Sequence, residues 1–533
     1  MIKVSEMKIK GTRNWNTVNW KKIQLRIWRI QRKIYECSRK NDKTRVIKLQ
    51  KILINLPEAK LLAVRKVTQD NRGKKTAGID GVHSVSPTKR FQLAYSLKID
   101  GRCDPIKRRL IPKPSNPEEL RPLGIPTIRD RAKQALVLLA LEPEWEAKFE
   151  KNSYGFRPGR RPHDVIEAIH SSINKSPKYV LDGDIRKCFD QINHDALLAK
   201  LDTFPTMNRQ VRAWLKAKIV MQDETIFPEK GTPQGGVLSP LLANIALDGI
   251  EELLSNWIAE IPAFSPGGHR ISKPNRRKRL LFVRYADDFV VLHPDKEVVE
   301  SAKSLIEEFL KTMGLEIHQG KTSITHTYLS VDNQRPGFKF LGFWIRNYPV
   351  GKTKRGKRGE EYKTFIRPHP QNISDVLRKI KIILRQNREA TTVVERLNPI
   401  IRGWANYFST VASKKTFSAM DNKLMIQLMR WAKRKHPTRP KVWIRNRYLF
   451  KDTRNGKSRL RFGYMGKNKK LLAFHTSRKL LLLGIRKLPA IRASTTMTLS
   501  IGLSEVERWE IVLLVSRFST FSEIRTTNVI SVI

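Results

Sequence analysis

Two adjacent carboxylates, Asp287 and Asp288, stand in the segment YADDFVV between the apolar runs LLFV and FVVL. Neighbouring carboxylates in a half-buried place repel each other and lose solvation, and a bound divalent cation relieves both costs. Mg²⁺ suits such a place because it prefers carboxylate oxygens and leaves coordination positions open for phosphate. The apolar flanks are typical of two strands joined by a tight turn, so we predict a hairpin with both acids at its tip. Alone, however, an Asp-Asp dipeptide more often marks a solvated turn.

A second acidic segment, YVLDGDIRKCFDQINHD, provides the carboxylate that such a site still needs. Its start reads as a strand, and Asp182 and Asp184 lie on one face of that strand because side chains alternate along it. Spacing alone does not decide which of the two is the ligand. Either one, together with the adjacent pair, would make a three-carboxylate, two-metal site that aligns and neutralises an in-line phosphoryl transfer.

A glycine-rich loop lies between the two acidic segments, in GTPQGGVLSPLLANIALDGIEELL. Gly231, Gly235 and Gly236 allow the backbone to approach a ligand closely. Ser239 is predicted as the N-cap of the following helix, with Pro240 as its first residue. A loop of this kind binds phosphate or nucleotide, or forms a packing turn, and the two readings are equally supported.

Two cations flank a turn rich in Pro and Asn further upstream, in RRLIPKPSNPEELRPLGIP. They are Lys113 and Arg121. Fixed cations at such a turn can hold a triphosphate, whereas the same charges alone could be solvated loop charges.

The charge of the whole chain points to a polyanionic partner. Its 533 residues carry 104 Lys and Arg against 49 Asp and Glu, a formal net charge of +55. Counterion release from phosphates rewards each well-placed cation, so nucleic acid is the predicted partner. The basic residues are interleaved with Trp, Phe, Tyr and Leu, which argues against a ribosomal or chromatin-type protein with disordered basic tails.

Cysteine usage and apolar runs indicate the kind of compartment. The three cysteines, Cys37, Cys103 and Cys188, are too widely spaced for a disulfide framework or a Cys-x-x-Cys metal clip. The first residues lack an apolar core of signal-peptide length, and no apolar stretch approaches the roughly 18–20 residues of a membrane span. We therefore expect a soluble protein of a reducing compartment, with no membrane partner.

Hydrophobic periodicity predicts the elements that position these residues. Residues 15–70 read as helices, with Ile23, Ile27, Ile30 and Ile34 at helical spacing. A loop rich in Gly, Asp, Asn and Ser follows and ends near residue 85. An α/β pattern then runs from 105 to about 346, and a second helical region spans about 370–435.

The order of these segments resembles the successive sequence blocks of group II intron reverse transcriptases. The matching blocks are, in order, IPKPSNPEELRPLGIP, NSYGFRPGRRPHDVI, DGDIRKCFDQINHD, GTPQGGVLSPLLANI, RYADDFVV, GLEIHQGKTSI and FKFLGFWI. The later LNPIIRGWANYF is similar to the thumb or maturase domain of the same proteins. The resemblance covers roughly residues 15–465, and ordered blocks with their acids intact make it specific.

This resemblance implies an α/β (α+β) fold of the right-hand polymerase type. Fingers and an antiparallel palm sheet flanked by helices would be followed by an α-helical thumb. The expected regions are an N-terminal helical extension (1–85), fingers and palm (86–350), the thumb or maturase domain (351–450), and a basic region with an unassigned tail (451–533).

The resemblance also implies a metal site. Asp184 matches the first metal-binding aspartate, in preference to Asp182, and Asp287 and Asp288 match the other two. The backbone carbonyl of Ile185 would be a further ligand. The implied cofactor is a pair of Mg²⁺ ions, with Mn²⁺ as a substitute.

Further positions match the nucleotide site of the family: Lys113, Arg121, Phe189, Gln234, Gly235 and Lys321. The first two cations correspond to triphosphate contacts, and the phenylalanine corresponds to a bulky gate that crowds a ribose 2′-hydroxyl. The Gln-Gly pair lies in the loop against the incoming nucleotide. Lys321 sits where a lysine protonates the pyrophosphate leaving group, or merely pairs with phosphate.

Contacts with nucleic acid are expected from the thumb and the segment after it. The candidate residues are Arg402, Trp404, Arg434, Lys435, Arg445 and Arg447. Residues 430–470 contain sixteen Lys or Arg against the single acid Asp452, interleaved with aromatic side chains. This segment either binds DNA or is a solvated basic face.

The implied function is an RNA-directed DNA polymerase that also acts as a maturase. Its partners would be the intron RNA, an RNA template, a DNA primer or target, and deoxynucleoside triphosphates. The alternative is an RNA-binding splicing factor with a vestigial polymerase site. The intact acids favour the polymerase, because a chain released from catalysis has no chemical reason to keep costly carboxylates together. A retroviral or retron enzyme fits less well, given the LNPIIRGWANYF block and the long N-terminal helical extension.

Two further expectations concern what accompanies the polymerase. Every cysteine lies before residue 190, so the cysteine-containing endonuclease domain of many bacterial members is not expected. The compartment would be a bacterial cytoplasm or an organelle, chloroplast or mitochondrion, and not the secretory route.

Overall fold

The computed structural model describes residues 14–112, 118–174, 176–221, 224–265, 267–350, 361–452, 459–465 and 471–473. Two compact units make up the chain. The first comprises Met1–Ser172 and Lys178–Ile324, and the second comprises Ile173–Pro177 and Thr325–Ile533.

Helices and two sheets alternate in the first unit. Its helices are α1 (Trp20–Arg39), α2 (Lys43–Asn55), α3 (Pro57–Arg65), α4 (Pro87–Ser96), α5 (Ile128–Lys148), α6 (Pro162–Ile173), α7 (Cys188–Gln191), α8 (His194–Leu201), α9 (Pro205–Leu215), α10 (Ser239–Ala246), α11 (Ile250–Glu260), α12 (Lys273–Arg279) and α13 (Lys296–Thr312). Its strands are β1 (Ile106–Pro112), β2 (Leu120–Ile125), β3 (Tyr179–Asp184), β4 (Ile219–Met221), β5 (Glu224–Ile226), β6 (Leu281–Tyr285), β7 (Asp288–His293) and β8 (Ser323–His326), within which the unit ends.

The N-terminal helices follow the predicted apolar stripe. Asn19 caps α1 by accepting a hydrogen bond from the backbone N–H of Lys22 at 3.0 Å. Ile23, Ile27 and Ile34 are buried along one side of this helix, and partly buried Ile30 packs against the same core. The helices predicted within residues 15–70 are therefore confirmed.

One sheet of the first unit has the strand order β2-β1-β4-β5. Its β1–β2 pair is antiparallel and places Arg121 opposite Ile111, whereas β1 and β4 run parallel. Helix α5 follows β2 and is buried along most of its length. Its N-cap Thr127 accepts a hydrogen bond from the backbone N–H of Asp130 at 3.2 Å.

The palm sheet, with the order β6-β7-β3-β8, carries the acidic segments. β7 lies between β6 and β3 and is antiparallel to both. Phe289, Val290, Val291 and Leu292 are fully buried, so β7 is apolar on both faces as the sequence FVVL predicts. Only the ends of this strand can hold polar side chains at low cost.

The loop before α10 corrects one detail of the sequence reading. Ser239 is the first residue of α10 and Leu238 is its N-cap, so the prediction that Ser239 caps the helix was wrong. The Ser239 hydroxyl instead donates a hydrogen bond to the Pro233 carbonyl at 2.7 Å. It therefore closes the glycine-rich loop on itself.

The second unit contains three-stranded sheets and long helices. Its strands are β9 (Phe338–Phe340), β10 (Phe343–Pro349), β11 (Tyr362–Pro368), β12 (Leu449–Asp452), β13 (Arg459–Met465) and β14 (Leu471–Ala473), and its helices are α14 (Pro370–Gln386), α15 (Ala390–Phe408), α16 (Lys414–Lys435) and α17 (Lys441–Tyr448). The sheet orders are β11-β10-β9 and β12-β13-β14, and neighbouring strands in both are antiparallel. Tyr448 stacks on Phe462 with ring centroids 5.3 Å apart, which packs α17 against β13.

The fold class agrees with the prediction, since a mixed α/β region with antiparallel strand pairs is followed by a helical region. Among the described residues, no helix is long and apolar enough to cross a membrane.

Candidate active site

Strand register brings the predicted carboxylates to one end of the palm sheet. Asp184, the last residue of β3, lies directly opposite Asp288, the first residue of β7. Asp288 also pairs with Tyr285 of β6, so Ala286 and Asp287 form the two-residue turn of the predicted hairpin. Ala286 adopts φ +60°, the left-handed conformation that such a turn requires. The three acids Asp184, Asp287 and Asp288 are thus adjacent.

Two glycines allow the hairpin to approach its neighbours. A Cβ at Gly183 would lie 2.3 Å from the Phe289 ring, and a Cβ at Gly155 would lie 2.1 Å from the Ala286 backbone nitrogen. Neither position has room for a side chain. Gly183 therefore sits beneath an aromatic ring between Asp182 and Asp184, and Gly155 braces the turn.

A buried guanidinium holds the same turn from behind. Arg284 is fully buried and donates hydrogen bonds to Ser153 Oγ at 2.7 Å, Asn244 Oδ1 at 3.0 Å and the Ala286 carbonyl at 3.2 Å. Burial lowers the pKa of Arg284, and the charges of Glu150 and other nearby acids act against that shift. Sequence reasoning missed this residue, although an Arg next to YADD in an apolar strand was a visible signal.

The acids are held at an electrostatic cost. Burial, followed by repulsion from Asp287, Asp184 and Asp182, raises the pKa of Asp288 to about 7. Burial also raises the pKa of Asp287, and the charge of Asp184 adds to that shift. The attraction of a bound cation would offset both the cost of desolvation and the repulsion between the acids.

Lys321 provides one positive charge at this site. Its Nζ donates a hydrogen bond to Asp184 Oδ2 at 2.8 Å, and this contact raises the pKa of the lysine. Lys321 ends a short helical turn whose N-cap, His318, donates its backbone N–H to the Asp184 carbonyl at 2.8 Å. The strand end, the lysine and the acid are therefore linked by backbone as well as side-chain contacts.

The residues fit a divalent metal site by their chemistry. Within the described ranges, no three His, Cys, Asp or Glu side chains form a ready-made metal cage, and Asp184 is engaged by Lys321. Three acidic residues nevertheless lie next to one another at one strand end, and burial and the charges of neighbouring acids raise the pKa values of Asp287 and Asp288. Oxygen donors under such repulsion suit Mg²⁺. Ile185 follows Asp184 and is buried, in a β-bridge with Ile317.

The glycine-rich loop is bonded to the segment that carries Phe189. The Thr232 backbone N–H donates to the Phe189 carbonyl, and Gln234 Nε2 donates to Asp190 Oδ2 at 3.0 Å. Gly235 adopts φ +112°, and a Cβ there would lie 2.6 Å from the Gly124 carbonyl oxygen. These hydrogen bonds hold the glycine-rich loop against the segment that contains Phe189 and Asp190.

Phe189 and Asp190 stand at the start of α7. The half-buried Phe189 ring meets the exposed Phe156 ring edge to face, with centroids 6.0 Å apart. Burial raises the pKa of Asp190, while its hydrogen bond from Gln234 opposes that shift. Sequence reasoning missed Asp190, because nothing in the spacing shows that Gln234 reaches it.

Of the two predicted triphosphate cations, Arg121 lies within the described residues. Arg121 is exposed on β2, and its charge lowers the pKa of both Asp287 and Asp190 against the dominant effect of burial. It therefore lies within electrostatic reach of the acids. Lys113 lies outside the described residues.

The predicted nucleic-acid contacts are mostly exposed. Arg402 on α15, Arg434 on α16, and Arg445 and Arg447 on α17 have exposed side chains. Lys435 is half-buried, with Nζ 3.6 Å from Glu389 Oε1. They remain candidates for phosphate contacts.

Trp404 has a different environment. Only 8% of it is exposed, and its ring packs against Phe408 and Phe417 with centroids 5.1 and 5.5 Å away. A side chain in this position stabilises the helical core. We therefore assign Trp404 to packing, in place of the direct nucleic-acid contact expected from the sequence.

Comparison with known families assigns three stretches of the chain. Residues 111–345 match the model for reverse transcriptase (RNA-dependent DNA polymerase). Residues 15–97 match the N-terminal domain of reverse transcriptase, and residues 373–449 match the group II intron, maturase-specific domain. Reverse transcriptase domains of this kind generally use divalent metal ions.

Individual relatives agree with these matches. The group II intron-encoded protein LtrA of Lactococcus lactis subsp. cremoris is 31% identical over 336 residues, 54% of this chain and 54% of LtrA. The chain thus spans about half the length of that relative. Protein YkfC of Escherichia coli (strain K12) is 29% identical over 59% of this chain and 86% of YkfC. Maturase-like protein 1 of Euglena gracilis is 27% identical over 73% of this chain and 76% of its own length. The chain therefore belongs to the family of group II intron-encoded reverse transcriptases and maturases.

Proposed function

We propose that this chain is an RNA-directed DNA polymerase that also binds group II intron RNA and assists its splicing and mobility. The single observation that carries the polymerase is the strand register of the palm sheet, which sets Asp184 opposite Asp288 with Asp287 in the adjoining turn. Acids forced together in this way are destabilising unless cations and phosphates occupy the site.

The proposed metal ligands are the carboxylates of Asp184, Asp287 and Asp288 and the carbonyl of Ile185. Two Mg²⁺ ions, or Mn²⁺ as a substitute, would neutralise the phosphates and favour in-line transfer when bound. The burial of β7 and the contacts of Arg284 hold these acids rigidly, so little reorganisation is needed during reaction.

Lys321 is the proposed proton donor. In the described state its ammonium group pairs with Asp184, and 59% of the lysine side chain is exposed. If Asp184 held a cation, the ammonium group would be free to donate a proton to the leaving pyrophosphate oxygen, and the lysine would become a neutral amine. Pairing with phosphate without proton transfer is the other role open to it.

Nucleotide selection is proposed for the loop and gate segment. The Phe189 ring would crowd a ribose 2′-hydroxyl, and Gln234 and Gly235 would lie against the incoming deoxynucleoside triphosphate. Asp190 positions Gln234 through their 3.0 Å hydrogen bond. Arg121, with Lys113, would hold the triphosphate by charge.

The maturase role is supported by the match of residues 373–449 to the maturase-specific domain. A domain of this kind implies binding of intron RNA, and the exposed cations Arg402, Arg434, Arg445 and Arg447 suit phosphate contacts. An RNA template and a DNA primer or target complete the proposed partners. The proposed compartment is a bacterial cytoplasm or an organelle.

The deciding experiment is primer extension on an RNA template with Mg²⁺ and deoxynucleotides, comparing the native protein with the Asp287→Ala/Asp288→Ala variant. We expect full-length DNA from the native protein, no product from the variant, and similar intron RNA affinity for both. Lack of product from both, with tight RNA binding retained, would reject the polymerase and leave a maturase with a vestigial site. Loss of RNA binding in the variant alone would count against the assignment of the acids.

A further inference from the structure

One face of the sheet β9–β11 in the second unit combines aromatic and basic side chains. We call it the aromatic–basic face, and its members are Trp344, Arg346, Tyr348, Lys363, Phe365 and Arg367. We propose that this face binds unpaired RNA, with bases stacked on its rings and guanidinium planes and phosphates held by its cations.

The register of β10 and β11 creates this face. Trp344 lies opposite Arg367, Arg346 opposite Phe365, and Tyr348 opposite Lys363. Each cross-strand pair therefore contains one aromatic and one basic residue. Along each strand the two types also alternate every second residue, a spacing of about 6.8 Å. The result is a checkerboard that neither strand shows alone.

The opposite face of the same sheet is the one that forms the core. Phe343, Ile345 and Asn347 of β10 are fully buried, and Ile366 of β11 is 7% exposed. The side chains of the aromatic–basic face are half-buried or exposed, and Phe365 is 39% exposed. The sheet already has a buried side that packs into the core, so packing in that core does not explain three aromatic rings on the outer side.

The cations and rings of the face are in contact with each other. The Arg346 guanidinium lies 4.7 Å from the Tyr348 ring centroid, and Lys363 Nζ lies 5.7 Å from that of Phe365. The Tyr348 and Phe365 rings meet edge to face at 5.6 Å and 83°. These contacts hold the side chains in place before a ligand arrives, which reduces the entropy cost of binding.

Charge and chemistry favour unpaired RNA over other occupants. The face carries three cations, and exposed Lys339 of β9, opposite Trp344, adds a fourth. Among the described residues of these strands and their ends, Glu361 is the one acid on the side of the aromatic–basic face, and it comes just before β11 begins. A row of phosphates matches the cations, and only unpaired bases offer flat faces to the rings. A duplex or an acidic protein would contact the cations but would have no exposed flat group to stack on the rings.

This inference deepens the maturase part of the proposed function and rests on the expected RNA partner. It adds a specific site, built from residues other than the carboxylates of the palm sheet, and a preference for single-stranded segments. Aromatic side chains that stack on bases typically contribute a factor of about 5 to 150 in affinity for each base.

The test uses the full-length protein and three probes: a short single-stranded RNA, a duplex of the same sequence, and the same backbone without bases. Affinities are measured for the native protein and for Phe365→Leu, which removes the aromatic face while keeping an apolar side chain. Phe365→Trp keeps the ring, and Ile382→Ala removes an exposed apolar side chain from α14 as a matched control. Photo-crosslinking of thiouridine-containing RNA, followed by peptide mapping, locates the contact.

We expect Phe365→Leu to bind the single strand at least about fivefold more weakly, whereas Phe365→Trp and Ile382→Ala stay near the native value. Crosslinks should fall in peptides that cover residues 362–368, and the backbone without bases should bind native protein and Phe365→Leu alike. Equal affinity of the native protein for all three probes, an unchanged affinity of Phe365→Leu, or crosslinks confined to other peptides would overturn the inference. Primer extension is measured in parallel. If the native protein fails to extend the primer but the aromatic–basic face binds RNA as described, the proposed polymerase activity is rejected and the proposed RNA-binding site is retained.

Discussion

The palm sheet and the sheet β9–β11 place their polar side chains in different ways. In the palm sheet the strand β7 is apolar on both faces, and the acids are crowded at its end. In the other sheet one face is largely buried, and the opposite face spreads cations and rings over two strands. One arrangement is buried, negative and rigid, and the other is open and positive.

This difference agrees with the ligands proposed for the two sites. A reacting phosphate needs metal ligands held in fixed positions, and burial supplies that rigidity at an electrostatic cost. A flexible RNA strand needs many exposed contacts of modest strength. The palm sheet therefore holds a few destabilising acids in one place, whereas the cations of the aromatic–basic face are spread over two strands.

The largest expected effect is on primer extension, and it should distinguish two acids on the same face of β3. Asp184→Asn should reduce single-turnover primer extension by at least about a thousandfold, because it removes a charged ligand opposite Asp288. Asp182→Asn is the matched control: it lies opposite Val290, away from the turn, and should retain most of the activity. Equal losses in the two variants would contradict the assignment of Asp184.

The next effect concerns sugar selection. Phe189→Ala should let the protein incorporate ribonucleotides, lowering the deoxy-to-ribo ratio of kcat/KM by roughly 10- to 1000-fold, because the space for a 2′-hydroxyl opens. Phe156→Ala, which removes only the edge contact on the Phe189 ring, should change this ratio far less. The measurement is kcat/KM for each nucleotide, and an unaltered ratio in Phe189→Ala would reject the gate.

A smaller effect is expected at Asp190, which binds Gln234 of the glycine-rich loop. Asp190→Leu should raise KM for deoxynucleotides by roughly threefold to thirtyfold, since Gln234 loses the acceptor that orients it. The value of kcat should change little. Asp195→Asn, an exposed acid on nearby α8, serves as the control. A loss in kcat with KM unchanged would show that Asp190 acts elsewhere.

The smallest expected effect is on the stability of the protein and concerns Glu150. Burial raises the pKa of Glu150 to about 7, and Asp248 adds repulsion. Between the ordinary pKa near 4.5 and about 7, the folded protein holds a proton that the unfolded chain has lost, so stability falls as pH rises through this window. Glu150→Gln should remove this decline and gain at most roughly 3 kcal/mol at pH 8.

Denaturant unfolding of both proteins at pH 5 and pH 8 checks this expectation. The variant keeps an oxygen to accept the hydrogen bond that the Glu252 backbone N–H gives to Glu150. If stability fell as steeply with pH in the variant as in the native protein, the raised pKa of Glu150 would not be the cause of the decline.

Local sequence signals predicted the elements but not the contacts between distant segments. The hairpin was predictable because apolar β-prone runs flank Asp287 and Asp288, and α1 because its isoleucines follow helical spacing. The sequence alone did not decide whether Asp182 or Asp184 is the metal ligand. Both share a strand face, and only the strand register brings one of them opposite Asp288.

The same limit explains the residues that were missed or misjudged. The bond between Asp190 and Gln234 joins two segments far apart in the chain. The burial of Trp404 depends on Phe417 of another helix, and an aromatic residue among cations gives no sign of which side it faces. The residues of β11 that lie opposite Trp344, Arg346 and Tyr348 cannot be identified without the strand pairing.

The most direct test of the central claim counts Mn²⁺ ions by electron paramagnetic resonance. The sample contains protein, RNA template, a DNA primer with a dideoxy end, and a deoxynucleoside triphosphate. The native protein and Phe365→Leu should each hold two tightly bound ions in this complex, and Asp287→Ala/Asp288→Ala should lose at least one. An unchanged ion count in the double variant, with the complex still assembled, would contradict the assignment of these carboxylates as the metal site.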